Sequence, residues 1–188
     1  MIKKAFRLLN TLKYLKPKQL AFFIIRRKFS AKTISVTQHS SMNSALVLSP
    51  PIAVNNRLLP SGHIEFLNHQ REFDVDNIEW CPQEVSRLWR YNLHYFDYLR
   101  DSFFDTEKKQ SVINSWISLN PQNSQPGWEP FTCSLRIVNW VFYLNKNSSL
   151  ASQSIIDSLF LQALWLEEND EKHILANHYF ENIKALLF

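Results

Sequence analysis

The chain has 188 residues, a length that suits one domain or the first part of a larger protein. Its hydrophobic content of 45% is enough for a buried core and excludes wholesale disorder, and its two glycines argue against Gly-rich phosphate loops and a large all-β domain with tight hairpins. The net charge of +4 combines +11 over residues 1–64, which contain no Asp or Glu, with −7 over the remainder.

The front of the chain is predicted to form two basic helices, at residues 2–15 and 17–29. Their charge could attract nucleic acid, an anionic membrane surface or an anionic glycan, although a solvated positive face explains it as well. We predict no nucleic-acid binding, because the sequence has neither zinc-ligand spacing nor a basic region followed by heptads. The apolar run 19–25 is too short to span a bilayer, but residues 1–29 could make a weak membrane-surface contact.

Residues 30–60 are rich in Ser, Asn and Pro and are predicted to be a linker. A short extended piece is predicted at 64–67, within an irregular stretch near 60–80. Apolar residues then recur every three or four positions, which predicts helices at 84–103, 107–118, 131–146, 151–168 and 171–187. We interpret the chain as mainly α, with a basic front and linker at 1–60 and a domain of antiparallel helix pairs at 61–188.

The first helix of this domain carries aromatic and polar side chains together, from Trp89 to Leu99. Flat apolar faces beside hydrogen-bonding groups suit sugars, whose rings have an apolar face and a hydroxyl rim. Tyr91 and His94 are therefore candidate sugar-binding residues. An amphipathic helix with one solvent-exposed face and one buried apolar face explains the same composition equally well.

A second segment of interest runs from Gly127 to Trp140, and its one cation, Arg136, lies among apolar residues of the predicted helix 131–146. Because burying an unpaired guanidinium is very costly, Arg136 needs a partner. That partner could be a carboxylate of the protein or a carboxylate of a substrate. Arg136 and Trp140 are candidate substrate-binding residues, with an internal ion pair as the alternative.

The last predicted helix concentrates polar groups on an otherwise apolar segment. His173, Asn177 and Glu181 are four residues apart and share a face, while His178 and Asn182 form a second line beside them. Two histidines five residues apart are not the i,i+4 pair of a zinc helix, so we predict no metal site. Five polar groups within ten residues make this helix the strongest candidate for chemistry.

The run from His173 to Leu186 resembles the helix of heparinase II/III-type polysaccharide lyases that reads H-x-L-G-N-H-x-x-x-N-x-K-A-L. Ala176 replaces the usual glycine of that pattern. The segments Trp-Glu-Pro-Phe…Ser-Leu-Arg-Ile-Val-Asn-Trp and Trp-Arg-Tyr-Asn-Leu-His-Tyr-Phe are similar to upstream blocks of the same family, in the same order. The resemblance covers residues 80–188 and is weak in front of them.

The resemblance implies a partial α/α toroid, that is, an incomplete (α/α)6 barrel, and β-elimination on a uronic-acid polysaccharide without a cofactor. In this reaction an amide, helped by an imidazole, neutralises the uronate carboxylate and stabilises an enolate-like transition state as the C5 proton leaves. By position, Asn177 matches the carboxylate-neutralising Asn of the family and His178 the adjacent His. The remaining candidate substrate contacts are Arg136, Trp140, Tyr91, His94 and His173.

The resemblance also implies parts that cannot be assigned to these 188 residues. The family's acid/base Tyr and a further His lie on later helices and a second, β-sandwich domain, so we expect no lyase turnover from this chain alone and a missing C-terminal portion as its partner. The apolar ending at residues 186–188, without a Gly or Asn cap, favours a chain that continues. A periplasmic location is expected from the family, although no signal peptide is visible. The alternative is a non-catalytic helical protein that binds glycans or serves as a scaffold in surface-polysaccharide metabolism.

Overall fold

The computed structural model describes residues 13, 14, 16, 17, 19, 21, 31–35, 48, 57–102, 105–172, 174 and 176–188. Nearly all of the two predicted basic helices therefore lies outside the described residues. From residue 57 onward the described chain is mainly helical, as predicted, with a small antiparallel sheet in front. Its elements are β1 (His63–Phe66), β2 (His69–Glu72), α1 (Arg87–Tyr95), α2 (Thr106–Leu119), α3 (Pro130–Lys146), α4 (Gln153–Asn169) and α5 (Ala176–Leu187).

The two strands form a hairpin that is packed on α1. Its turn residues, Leu67 and Asn68, have φ angles of 57° and 59°, the geometry of a two-residue type I′ turn. Ile64 and Phe66 are buried, and the Phe66 ring meets the Trp89 ring edge-on at 5.1 Å between centroids. The extended segment predicted near 64–67 is thus confirmed as β1, while β2 is an element that the sequence pattern did not predict.

The start of α1 is set by a side-chain cap. Ser86 accepts a hydrogen bond from the backbone N–H of Trp89 at 3.1 Å, which satisfies a donor that the first helical turn leaves free. The helix therefore begins at Arg87, three residues later than predicted.

The end of α1 is set by Phe96, and here the prediction of one helix over 84–103 is wrong. Phe96 has a left-handed backbone with φ of 63°, and a 3-10 turn at Asp97–Arg100 follows it. The turn of the chain brings the Phe96 ring into the core, where it stacks on the rings of Trp80 and Tyr98 at centroid distances of 5.5 and 5.4 Å. Burial of this ring offsets the strain of a left-handed non-glycine residue, which is about 1–2 kcal/mol.

Helices α2, α3 and α4 agree with the predicted helices within two residues at each end. Asp105 caps α2 by accepting from the N–H of Lys108 at 2.8 Å, and Pro130 occupies the first turn of α3, where a missing N–H costs nothing. Helix α3 is central, since it contacts α1, α4 and α5. Side chains on α3 can therefore contact three of the other helices.

Helix α5 begins at Ala176, five residues later than predicted. Asp170 ends α4, and a joint that begins at Glu171 separates α4 from α5. The joint is fixed from within the protein, because the backbone N–H of Glu171 donates to the Asn182 side-chain oxygen at 2.7 Å. This bond ties the joint to the middle of α5.

Residues 31–35 lie against the helical body and are held by side-chain amides. Gln122 accepts from the N–H of Ile34 at 2.8 Å and donates to its carbonyl at 2.7 Å. Asn169 binds Lys32 in the same manner, at 3.1 and 3.4 Å. Paired amide contacts to alternate residues fix this piece of the predicted linker to the helical domain.

None of the helices that the structure describes combines the length and the apolar character needed to cross a bilayer.

The packing around Gly127 leaves no room for a side chain without a shift of its neighbours. A Cβ there would lie 2.9 Å from His94 Nδ1 and 3.1 Å from its Cε1, and His94 is fully enclosed. We expect Gly127→Ala to reduce the free energy of unfolding in urea by about 1–3 kcal/mol and to alter the near-ultraviolet circular dichroism of the surrounding tryptophans. Gly62→Ala is the control, because its Cβ would meet nothing within 4 Å, so that only its φ of 78° opposes the substitution. Equal near-ultraviolet spectra for the two variants would contradict the prediction.

Candidate functional site

Three of the predicted site residues, His94, Arg136 and Trp140, are brought together, but in the core rather than on a surface. They meet around Trp116 of α2. The Trp116 indole N–H donates to His94 Nδ1 at 2.9 Å, and the Trp140 ring meets the Trp116 ring edge-on at 5.7 Å. In this structure all three contact protein groups.

Arg136 is completely buried and lies over the face of Trp116, with 3.8 Å between its Cζ atom and the ring centroid. Its Nη1 donates to the Gly127 carbonyl and its Nε to the Gln162 side-chain oxygen, both at 2.7 Å. No described carboxylate is paired with it, so the internal ion pair expected as one alternative is absent from the described residues. Burial lowers the pKa of Arg136 to about 10, which leaves it charged at neutral pH.

His94 is fixed by hydrogen bonds at both ring nitrogens. Since Nδ1 accepts from Trp116, the proton resides on Nε2, which donates to the Trp80 carbonyl at 2.9 Å. Burial and, secondarily, the charge of Arg136 lower the pKa of His94 to about 3. The imidazole is therefore neutral and structural in this arrangement.

Of the other described candidates, Tyr91 and His178 lie on one surface, the α1–α3–α5 face, and the exposed Asn177 directly precedes His178. We define this face by residues that contact one another from α1 across the start of α3 to α5, together with the exposed Asn177: Arg87, Tyr91, Tyr95, Glu129, Phe131, Glu171, Asn177 and His178. This surface presents aromatic rings, an amide and an imidazole.

Tyr91 marks one end of this face. Its hydroxyl donates to Glu129 at 2.5 Å, and Arg87 bonds the other oxygen of the same carboxylate at 2.7 Å. Burial, followed by Glu129, raises the pKa of Tyr91 to about 12; burial also raises that of Tyr95 to about 12, again with a contribution from Glu129. Both phenols therefore keep their protons at neutral pH and can donate hydrogen bonds but cannot act as bases.

His178 marks the other end. Its ring lies 4.5 Å from the Phe131 ring, centroid to centroid, and Phe131 in turn meets Tyr95 edge-on at 6.1 Å. His178 Nδ1 is 3.2 Å from each carboxylate oxygen of Glu171. The His178 side chain is 45% exposed and that of Glu171 only 9%, so an accessible imidazole is backed by an enclosed carboxylate.

Asn177 is exposed beside His178 in the first turn of α5. His173, the last of the predicted substrate contacts, lies outside the described residues. Asn177, His178 and Tyr91 are thus the candidates that remain accessible in the part of the chain that the structure describes. The arrangement offers an amide and an imidazole to a ligand, with aromatic rings alongside on which a sugar could stack.

Four residues that shape these two regions were not among the candidates chosen from the sequence. Trp116 was not singled out in the sequence, and Glu129 and Phe131 stood inside the Trp-Glu-Pro-Phe block without being selected. Glu171 lies seven residues before His178, which on a continuous helix is two turns away and too far for contact, whereas the break before α5 brings the two side chains together. The contiguity of the Trp-Glu-Pro-Phe block was the available signal for Glu129 and Phe131.

A separate cavity of about 490 Å³ lies between α2, α4 and residues 34–35. It is lined by Ile34, Ser35, Trp116, Ile117, Asn120, Pro121, Gln122, Trp128, Ser154, Asp157, Ser158 and Leu161. Several of its polar groups already bind the protein, since Gln122 is bonded to Ile34 and Ser158 accepts from Gln162 at 3.2 Å. Its two indoles are almost wholly buried, so the cavity offers a ligand less than the α1–α3–α5 face does.

No protein-family model, curated protein sequence or solved structure matches this chain. Among the described residues, no group of three or more His, Cys, Asp and Glu side chains is arranged to hold a metal ion.

The enclosed His94 predicts a specific dependence of stability on pH. Its pKa is about 3 in the folded protein and about 6.5 in an unfolded chain, so between these values only the unfolded state binds a proton. Its contribution to stability is complete above about pH 6.5 and falls by roughly 1.4 kcal/mol per pH unit below it. We expect His94→Gln to flatten the dependence of the unfolding free energy between pH 7 and pH 5, measured by urea denaturation. Between pH 7 and pH 9 the unfolding free energies of the wild type and of His94→Gln should change with pH in the same way. An equal pH dependence of the two proteins below pH 7 as well would show that His94 is not held neutral.

Proposed function

We propose that this chain is the sugar-binding part of a polysaccharide lyase of the heparinase II/III type, acting by β-elimination on a uronic-acid polysaccharide. In this proposal Asn177 and His178 hydrogen-bond the uronate carboxylate, and the rings of Tyr95 and Phe131 lie along the sugar. The observation that carries it is the exposure of Asn177 and His178 side by side, next to an aromatic surface.

The chemistry of the pair supports this assignment. Removal of the C5 proton of a uronate moves negative charge onto its carboxylate, so donors must be aimed at that group before the reaction begins. An amide donates through its nitrogen and an imidazole through a protonated ring nitrogen. Asn177 and His178 supply one donor of each kind from consecutive positions, on a helix rather than a mobile loop.

The backbone at Ala176 gives independent support to the matching of this helix with the family pattern. The pattern has glycine immediately before the Asn-His pair, and Ala176 has φ of 52° in this structure. Glycine adopts a left-handed backbone without penalty, whereas alanine is strained there. The family pattern therefore has glycine at the position where the backbone of this chain is left-handed.

The finer architecture, a partial α/α toroid, belongs to the same proposal. Helix α3 already packs between α1, α4 and α5, in the manner of successive helices in a helical layer. Helix α5 leaves apolar side chains uncovered, with Phe180 and Leu187 exposed by 65% and 81%. Such side chains on one helix are suited to packing against a neighbouring helix.

The proposal assigns substrate binding to this chain and leaves the proton transfers to other groups. Tyr91 and Tyr95 both have pKa values raised to about 12, so neither serves as the base that removes the C5 proton. Binding of acidic sugars is therefore the activity to measure.

The test is a titration of uronate oligosaccharides against the protein by calorimetry, with carboxyl-reduced oligosaccharides of the same length as the matched ligand. We expect Asn177→Ala to weaken binding of the acidic ligand about tenfold, because one hydrogen bond to a charged group is worth roughly 1.5–3 kcal/mol. The control variant is Asn114→Ala, which removes an exposed amide from α2, away from the α1–α3–α5 face. Equal affinity for acidic and reduced ligands, or an unaffected Asn177→Ala variant, would refute the proposal.

A further inference from the structure

Glu171 is held more firmly than an ordinary surface carboxylate. Its backbone N–H donates to the Asn182 side-chain oxygen at 2.7 Å, and the Asn182 amide donates to the Ser134 hydroxyl at 2.9 Å. The Ser134 hydroxyl donates to the Pro130 carbonyl at 2.8 Å, so the chain of bonds ends at the first turn of α3. Asn182 and Ser134 are completely buried. The joint that carries Glu171 is therefore anchored to the centre of the helical body.

The Glu171 carboxylate faces one edge of the His178 imidazole. Both carboxylate oxygens are 3.2 Å from Nδ1, and an ionised carboxylate can only accept hydrogen bonds. Nδ1 must then carry a proton. The Phe131 ring, 4.5 Å from the imidazole between centroids, restricts the orientation of the same ring from its face.

We propose that Glu171 is a positioning residue that keeps the His178 proton on Nδ1 and thereby presents Nε2 as the ring nitrogen that meets the ligand. The identity of that ligand as a uronate carboxylate rests on the proposed function, whereas the state of the ring does not. Nε2 makes no hydrogen bond to another residue in the described part of the chain.

The consequence for a ligand follows from the two states of the ring. A neutral ring with its proton on Nδ1 offers a lone pair at Nε2 and repels a carboxylate, which has no proton to give. A doubly protonated ring offers an Nε2–H donor, and Glu171 balances its charge from behind. The acidic sugar is therefore bound by the imidazolium form, with its carboxylate at Nε2 and the Asn177 amide beside it.

A purely structural ion pair between Glu171 and His178 would tie the joint to α5. The affinity for the ligand would then not depend on which ring nitrogen is protonated. The two roles differ in what depends on Glu171. Positioning predicts that the protonation site of the neutral ring and the affinity for acidic sugar both change when the carboxylate is removed. A structural tie predicts a change in unfolding free energy alone.

The experiment is nitrogen-15 NMR of the histidine rings, with His178→Gln used to assign the His178 signals. At a pH where the ring is neutral, we expect wild-type Nδ1 to give the signal of a protonated nitrogen and Nε2 that of an unprotonated one. Glu171→Ala should move the proton to Nε2, the site that a free imidazole side chain prefers. The control is Glu168→Gln, which alters an exposed carboxylate of α4 bonded to Lys32.

Calorimetric titration with uronate oligosaccharide then tests the link to binding. We expect Glu171→Gln, which keeps the shape but not the charge, to weaken binding about tenfold in wild type and to have no further effect in a His178→Ala background. A wild-type ring protonated on Nε2 when neutral, or additive effects of the two substitutions, would overturn the inference. If no variant or wild type binds acidic sugar while the ring still shows the Nδ1 proton, the proposed function fails and the positioning of His178 by Glu171 stands without that ligand.

Discussion

Arg136 lies over the indole of Trp116 at 3.8 Å, wholly buried, with its hydrogen bonds directed to a carbonyl and an amide rather than to a carboxylate. A buried charge is costly unless its donors meet acceptors of the right geometry. Two nitrogens of Arg136 are paired in this way, while Nη2 has no hydrogen-bond partner among the described residues. The same indole donates to His94, which is thereby held in one tautomer against Gly127. The contact between Arg136 and Trp116 thus constrains how α1, α2, α3 and α4 pack against one another.

The α1–α3–α5 face depends on this interior through α3. The first turn of α3 carries Phe131, which touches His178. The second turn carries Ser134, which anchors the joint before α5, and Arg136, which is held by α4 through Gln162. Polar groups on α5 therefore take their positions from a rigid helix, which is what a binding surface for a charged sugar requires.

Helices α2 to α4 could be predicted because their apolar residues recur at helical spacing, and packing against α3 reinforces that preference. Strand β2 could not, since His-Gln-Arg-Glu is polar on both faces and is a strand only because a tight turn returns it along β1. The break at Phe96 lacks glycine or proline and is driven by tertiary burial of its ring. At the site, Asn177 and His178 were singled out by the concentration of polar groups on their helix and by the family resemblance. The surroundings of the buried Arg136 and the pairing of Glu171 with His178 depend instead on tertiary structure.

The most direct measurement compares the unfolding free energies of Arg136→Lys and Arg87→Lys in urea. Lysine cannot reproduce the planar contact with Trp116 or both hydrogen bonds, so the account predicts a loss of roughly 3 kcal/mol for Arg136→Lys. Arg87 is an exposed partner of Glu129, and its replacement should cost less than about 1 kcal/mol. A small and equal loss for both variants would contradict the account, because Arg136 would then be free to serve a ligand instead of holding the helices together.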